Sequence, residues 1–149
     1  MQTISSSTPI AAPQQVAWEV MTEHELYARW VPRSQVSLEV EGSPERNGVG
    51  AIRVFHIGPV RTREEMTAFD PPQRMAYRVL TIPLPVRNCR SDLLLVADDD
   101  GSGCTLHWDS WFETVIPLTG GIMRQIMGSV TAKMAAGIAE EAQLRAQSA

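Results

Sequence analysis

Arg53 and Glu64 are the residues whose types and spacing point most directly to chemistry. They flank the turn signal Gly58-Pro59. If that pair centres a hairpin, residues equidistant from it face each other, so Arg53 opposes Glu64. Strand alternation then puts both on one face with Phe55 and Met66. On an inner face, the guanidinium would be a fixed donor for a carbonyl or carboxylate, oriented and balanced by the carboxylate. A one-residue slip of register would send both to solvent, as a plain surface salt bridge. The sequence is compatible with either placement.

Other reactive residue types form weaker patterns. Cys89 and Cys104 fall far apart along the ladder if Asp98–Gly103 is a hairpin turn, so they read as free thiols rather than a disulfide. His24, His56 and His107 lack metal-ligand spacing and no Cys-x-x-Cys is present, so no metal and no cofactor is expected. His24 falls in a first helical turn and is expected in solvent; His56 and His107 lie on strands and are placed on the outer face. Asp98, Asp99 and Asp100 lack the spaced ligands of a calcium loop and read as a hairpin tip. Gly48-Val49-Gly50 reads as a turn entering a strand, not a phosphate loop.

These residues need elements to hold them. Gln2–Pro9 gives a weak strand signal. Ala12-Pro13 starts a helix with Val16, Ala17, Val20 and Met21 at helical spacing. Thr22-Glu23-His24-Glu25 has the pattern of a capping box opening a second short helix through Leu26, Tyr27 and Trp30, ended by Pro32. The period then changes to two. Strands are predicted through Val36–Val40, Gly50–Ile57, Val60–Phe69, Met75–Val79, Arg90–Ala97 and Cys104–Thr114, with 81–86 as an apolar connection. From Pro117 to about Ala146 the chain is Ala-, Met- and Ile-rich without proline, a helix of roughly 45 Å at 1.5 Å per residue. One antiparallel sheet must cover its apolar face, and the last helix is the large partner available.

The 149 residues form one domain, 1–149, with 44% apolar and 20% charged residues, enough to build a core without staples. A net charge of −4 opposes a nucleic-acid groove. No apolar run reaches membrane-span length, and the opening Met-Gln-Thr-Ile-Ser-Ser-Ser-Thr lacks the basic and apolar regions of a signal peptide. The expected compartment is the cytoplasm, and the expected state is monomer or homodimer.

Ala12-Pro13-x-x-Val16-Ala17-Trp18-x-Val20-x-Thr22 and Tyr27-x-x-Trp30-x-Pro32 resemble the SRPBCC (START-like) superfamily. Gly48-x-Gly50, Glu65-Met66-Thr67-x-Phe69-Asp70-Pro71, Tyr77-Arg78-Val79 and the terminal helix extend the resemblance over nearly the whole chain. Its nearest branch looks like the polyketide cyclase/dehydrase and lipid-transport proteins. The resemblance implies an α+β helix-grip fold: a curved seven-stranded antiparallel sheet wrapped around a long C-terminal helix, with two short helices after the first strand. It also implies a cavity for a hydrophobic small molecule of lipid, polyketide or isoprenoid type.

Alternation and the helix stripe place Val36, Leu38, Phe55, Met66, Tyr77, Leu93, Leu106, Trp108, Ser110 and Phe112 on the sheet wall, joined by Arg53 and Glu64 if their pair points inward, and closed by Met123, Ile126, Met127 and Val130. The alternative reading is a polyketide aromatase/cyclase or dehydratase in the same cavity, with Tyr27, Arg53, Glu64 and Tyr77 as candidates for polarising carbonyls and moving protons. A third reading makes Ile82-Pro83-Leu84-Pro85 a contact with another chain.

Overall fold

A computed structural model describes residues 1–148. Its elements are β1 (Gln2–Ile10), α1 (Gln14–Thr22), a 3-10 helix (His24–Arg29), β2 (Ser34–Val40), β3 (Ile52–Ile57), β4 (Val60–Asp70), β5 (Arg74–Thr81), β6 (Val86–Ala97), β7 (Cys104–Thr114) and α2 (Gly120–Ser148). The strands form one seven-stranded antiparallel sheet in the order β1-β7-β6-β5-β4-β3-β2. From β2 to β7 the chain meanders, and β1 closes the far edge against β7.

Local chemistry explains most boundaries. Pro13, at φ −58°, precedes the first turn of α1, whose Ala17, Trp18, Val20 and Met21 turn inward. The expected capping box does not form. Thr22 Oγ1 instead donates to the Trp18 carbonyl at 2.9 Å, satisfying a last-turn acceptor of α1. Glu23 precedes the next helix without a side-chain cap, and that helix is the tighter 3-10 form.

Gly58, at φ +59°, supplies the left-handed residue of the β3–β4 hairpin. The register is Ile57↔Val60 and Arg53↔Glu64, as the turn signal implied. The β6–β7 hairpin closes through the Asp98 N–H donating to the Gly103 carbonyl at 2.9 Å, with Ala97 opposite Cys104. β6 starts at Val86, earlier than expected, because a bulge at Asn88 (φ +52°) lets the ladder continue past the irregular residues.

α2 lies against β1, α1 and β7. A Cβ built on Gly137 would overlap the indole of Trp30, so the bare backbone there is what lets the 3-10 segment dock on α2. The main core joins Trp18, Met21, Leu26, Met75, Leu93, Leu106 and Ile138, and a smaller cluster joins Val86, Cys89, Phe112 and Met123. Both cysteines are buried and free. Among the described residues, no helix is long and apolar enough to cross a membrane.

Candidate functional site

Between the hairpin half of the sheet and the N-terminal half of α2 lies a cavity of about 300 Å³. Its apolar wall includes Phe55, Val79, Trp108, Ile126, Met127 and Val130; its polar members include Glu64, Tyr77, Ser91 and Ser110. Of the expected lining, Phe55, Glu64, Tyr77, Trp108, Ser110, Ile126, Met127 and Val130 stand in the wall, together with Tyr27.

The others do not reach it. Met66, Leu93 and Leu106 belong to the solid core, and Val36 and Leu38 pack against it. Phe112 and Met123 fill the smaller cluster. The cause is that α1, the 3-10 helix and the C-terminal half of α2 occupy the other half of the inner face, through Trp18, Leu26 and Ile138. Alternation identifies the face but not how far along it helices have filled the space.

Arg53 is buried with 3% of its side chain exposed and Glu64 with 13%. Arg53 Nη2 and Nε donate to one carboxylate oxygen, Glu64 Oε1, at 3.0 and 3.2 Å. The inward placement is therefore the one adopted. Arg53 itself is not in the wall. Its guanidinium sits 4.7 Å from the Tyr77 ring centre, 5.4 Å from Phe55 and 5.8 Å from Tyr27, an aromatic enclosure that suits a weakly hydrated cation. The arginine anchors from behind, and the carboxylate is what the cavity meets. Burial raises the pKa of Glu64 above the usual carboxylate range, and the pull of Arg53 only partly opposes this.

The neighbouring polar groups are settled unequally. Tyr27 Oη donates to the Met21 carbonyl at 2.6 Å, and burial pushes its pKa up to about 12. Burial, then the Glu64 charge, raises Tyr77 as well. The Ser91 and Ser110 hydroxyls lie 2.7 Å apart across the β6–β7 ladder. One of them must donate to the other, and the Ser91 hydroxyl also lies within reach of the Tyr77 phenol oxygen. The Trp108 indole N–H is buried and has no acceptor among the described residues.

His24 departs from expectation: it is 2% exposed rather than solvated, because the 3-10 helix turns it into the core. Desolvation, then the nearby Arg53 charge, lowers its pKa to about 4, against a weaker opposing effect of Glu25. His107 Nδ1 stands 2.9 Å from Ser7 Oγ on the exposed face, as placed from alternation. No three His, Cys, Asp or Glu side chains among the described residues are arranged to hold a metal ion.

Sequence reasoning missed Ser91, Cys89, Trp111, Ile82 and Leu84 in the wall. Ser91 was findable: counting back from the Asp98–Gly103 turn sets it opposite Ser110. Cys89 was findable too, because it keeps the inward parity of Ser91, Leu93 and Leu95 on β6.

A curved antiparallel sheet gripping a C-terminal helix around an apolar cavity defines a START-like, helix-grip protein. The chain belongs to the family described as polyketide cyclase / dehydrase and lipid transport, whose profile matches residues 1–146. Among solved structures, a Thermobifida fusca protein is 27% identical, with a TM-score of 0.77 over 95% of this chain and 93% of that one. A START superfamily protein from Mycobacterium smegmatis is 11% identical, with a TM-score of 0.78 over 99% of each chain. A point mutant of norcoclaurine synthase from Thalictrum flavum, solved with a transition-state analogue, is 17% identical, with a TM-score of 0.75 over 97% of this chain and 95% of that one. A search of curated proteins returned no match.

Proposed function

We propose that the chain binds a hydrophobic small molecule of lipid, polyketide or isoprenoid type in this cavity. The observation that carries the reading is the cavity itself: about 300 Å³ of apolar-walled space, within the range of small-molecule sites. Among its polar groups, Glu64 offers an acceptor and the Ser91 and Ser110 hydroxyls lie in the same wall. That arrangement fits an apolar body bearing one hydroxyl or carbonyl. The cytoplasmic placement belongs to the same reading, and two buried free thiols are at home in a reducing compartment.

The test is native mass spectrometry of protein purified from its own host, with titration of an environment-sensitive apolar dye. The expected results are a retained apolar ligand and saturable dye binding near micromolar, about −8 kcal/mol. A folded protein with neither would refute the reading.

One observation favours the aromatase/cyclase or dehydratase alternative. Glu64, with its raised pKa, shares the wall with Tyr77, a pairing able to exchange protons with a ketone substrate. Tyr27 is committed to a backbone carbonyl, and Arg53 acts through Glu64 rather than on the ligand. Conversion of a poly-β-ketone that Glu64→Gln abolishes, with dye binding kept, would select this reading.

A further inference from the structure

The two ends of the sheet differ in charge. The acids Glu41, Glu45, Asp70, Asp98, Asp99 and Asp100 lie in the turns at one end. The opposite end gathers the β3–β4 hairpin tip, the segment before β2, the β5–β6 connection and the β7–α2 loop. Here Arg33, Arg61 and Arg124 make no ion pair among the described residues, while Arg90, a wall residue of the cavity, lies over the Trp111 ring. Arg33 abuts the hairpin tip, its carbonyl accepting from the Gly58 N–H at 3.3 Å. Glu113, the acid of this end outside the cavity, is engaged by Arg87 and Asn88. A chain of net charge −4 thus presents one basic end.

The same end is apolar at its tip. Leu118 is fully exposed, and Val115, Ile116 and Ile122 are each more than half exposed. Leu118 has φ +67°, a left-handed conformation that a leucine rarely adopts, so the loop turns it outward against its backbone preference. The cavity opens here too, because its wall residues Ile57, Val60 and Ile126 are themselves exposed.

We propose that this end docks on an anionic lipid bilayer, the β7–α2 loop entering among the headgroups and the arginines meeting lipid phosphates. Unpaired arginines around exposed aliphatic side chains match both forces of interfacial binding, apolar insertion and attraction to anionic lipid. A protein partner would explain the charges, but the fully exposed leucine at the tip favours a fluid apolar phase. The proposal goes beyond the cavity reading, since Val115, Ile116, Leu118, Ile122 and Arg124 are outside the wall. Docking would also let an apolar ligand pass between bilayer and cavity without crossing water.

The experiment is co-sedimentation of the full chain with vesicles of phosphatidylcholine alone and of phosphatidylcholine mixed with phosphatidylglycerol. Binding should be at least about tenfold tighter to the mixed vesicles and fall as salt rises. Leu118→Asp with Ile122→Asp should lose about tenfold or more, and so should Arg33→Glu with Arg61→Glu, both with circular dichroism and dye binding unchanged. Equal binding to both vesicle types, no binding to either, or full binding by the Leu118/Ile122 variant would overturn docking. If wild type instead self-associates and that variant is monomeric, with no vesicle binding, the face joins two copies and the proposal is wrong. Loss of dye binding with vesicle binding intact would sink only the cavity reading. Should the aspartate variant misfold, the charge-reversal variant at exposed positions decides.

Discussion

Arg53 is held in a place where a lone cation could not stay. Its two donors meet Glu64 and its faces meet three aromatic rings. Removing the guanidinium leaves the carboxylate buried without its partner, which typically costs about 3–5 kcal/mol. Arg53→Met should therefore lower stability by about that much, near the low end because Glu64 keeps some contact with the cavity. Arg53→Met with Glu64→Gln should recover part of the loss while binding hydroxylated ligands less well. Denaturant melts of both single variants and the double variant measure this, and small additive losses would mean that the pair contributes no more than a surface bridge. His24 makes the second prediction at this scale. Its folded pKa, about 4, lies below the ordinary value of 6.5. The folded state therefore favours the neutral ring. Its contribution is full above about pH 6.5 and is lost as pH falls toward 4. Between pH 7.5 and 5 wild type should lose about 2 kcal/mol more than His24→Gln. Parallel pH dependence of the two proteins in urea melts would show that His24 is not buried neutral.

At the scale of elements, the joint between α2 and the 3-10 helix is decided by one missing methyl group. Gly137→Ala adds helix propensity worth up to about 1 kcal/mol, but its Cβ would overlap the Trp30 ring, and overpacking typically costs about 1–3 kcal/mol. Net destabilisation is expected. Gly128→Ala on the same helix has its nearest neighbour, Ile4 Cγ2, at 3.8 Å, so it should stabilise by about 0.5–1 kcal/mol. Thermal melts showing the same sign for both variants would contradict the docking. This joint also marks where the sequence stopped being legible. Strand periods and two turns were enough to set Arg53 opposite Glu64 and Ala97 opposite Cys104, because register follows from turn position and alternation. His24 was misplaced because Thr22–Glu25 matches a capping box locally, while the close approach of α1 and the 3-10 helix to the sheet chose another arrangement. Glycine in a helix looks like a weakness until its neighbour across space is known.

For the molecule as a whole, what covers the inner face determines both the fold and the cavity. Family resemblance and periodicity were sufficient for the sheet and its partner helix. They did not show that the smaller helices fill half of that face, leaving Leu93, Leu106 and Met66 in solid core and the open space beside Glu64 and Tyr77. α2 remains the element that seals the structure: it runs along β1 and α1 and closes the second core cluster through Met123. Ending the chain before Pro117 would expose Leu106, Trp108 and Phe112, each at most 2% exposed in the fold. Each such side chain is worth about 1.5–3 kcal/mol on burial. Losing their cover, with that of Ile10 and Leu95 beside them, removes a sum comparable to a domain stability of about 5–15 kcal/mol. α1 and the 3-10 helix cannot compensate, because Trp30 would lose the α2 surface it docks against at Gly137. The truncated chain should therefore give no cooperative melt and should bind apolar dye without saturation, as a collapsed state does. A monomeric truncated sheet with a sharp thermal transition would mean that α2 is an ornament on a self-sufficient sheet, and that the cavity is not built around it.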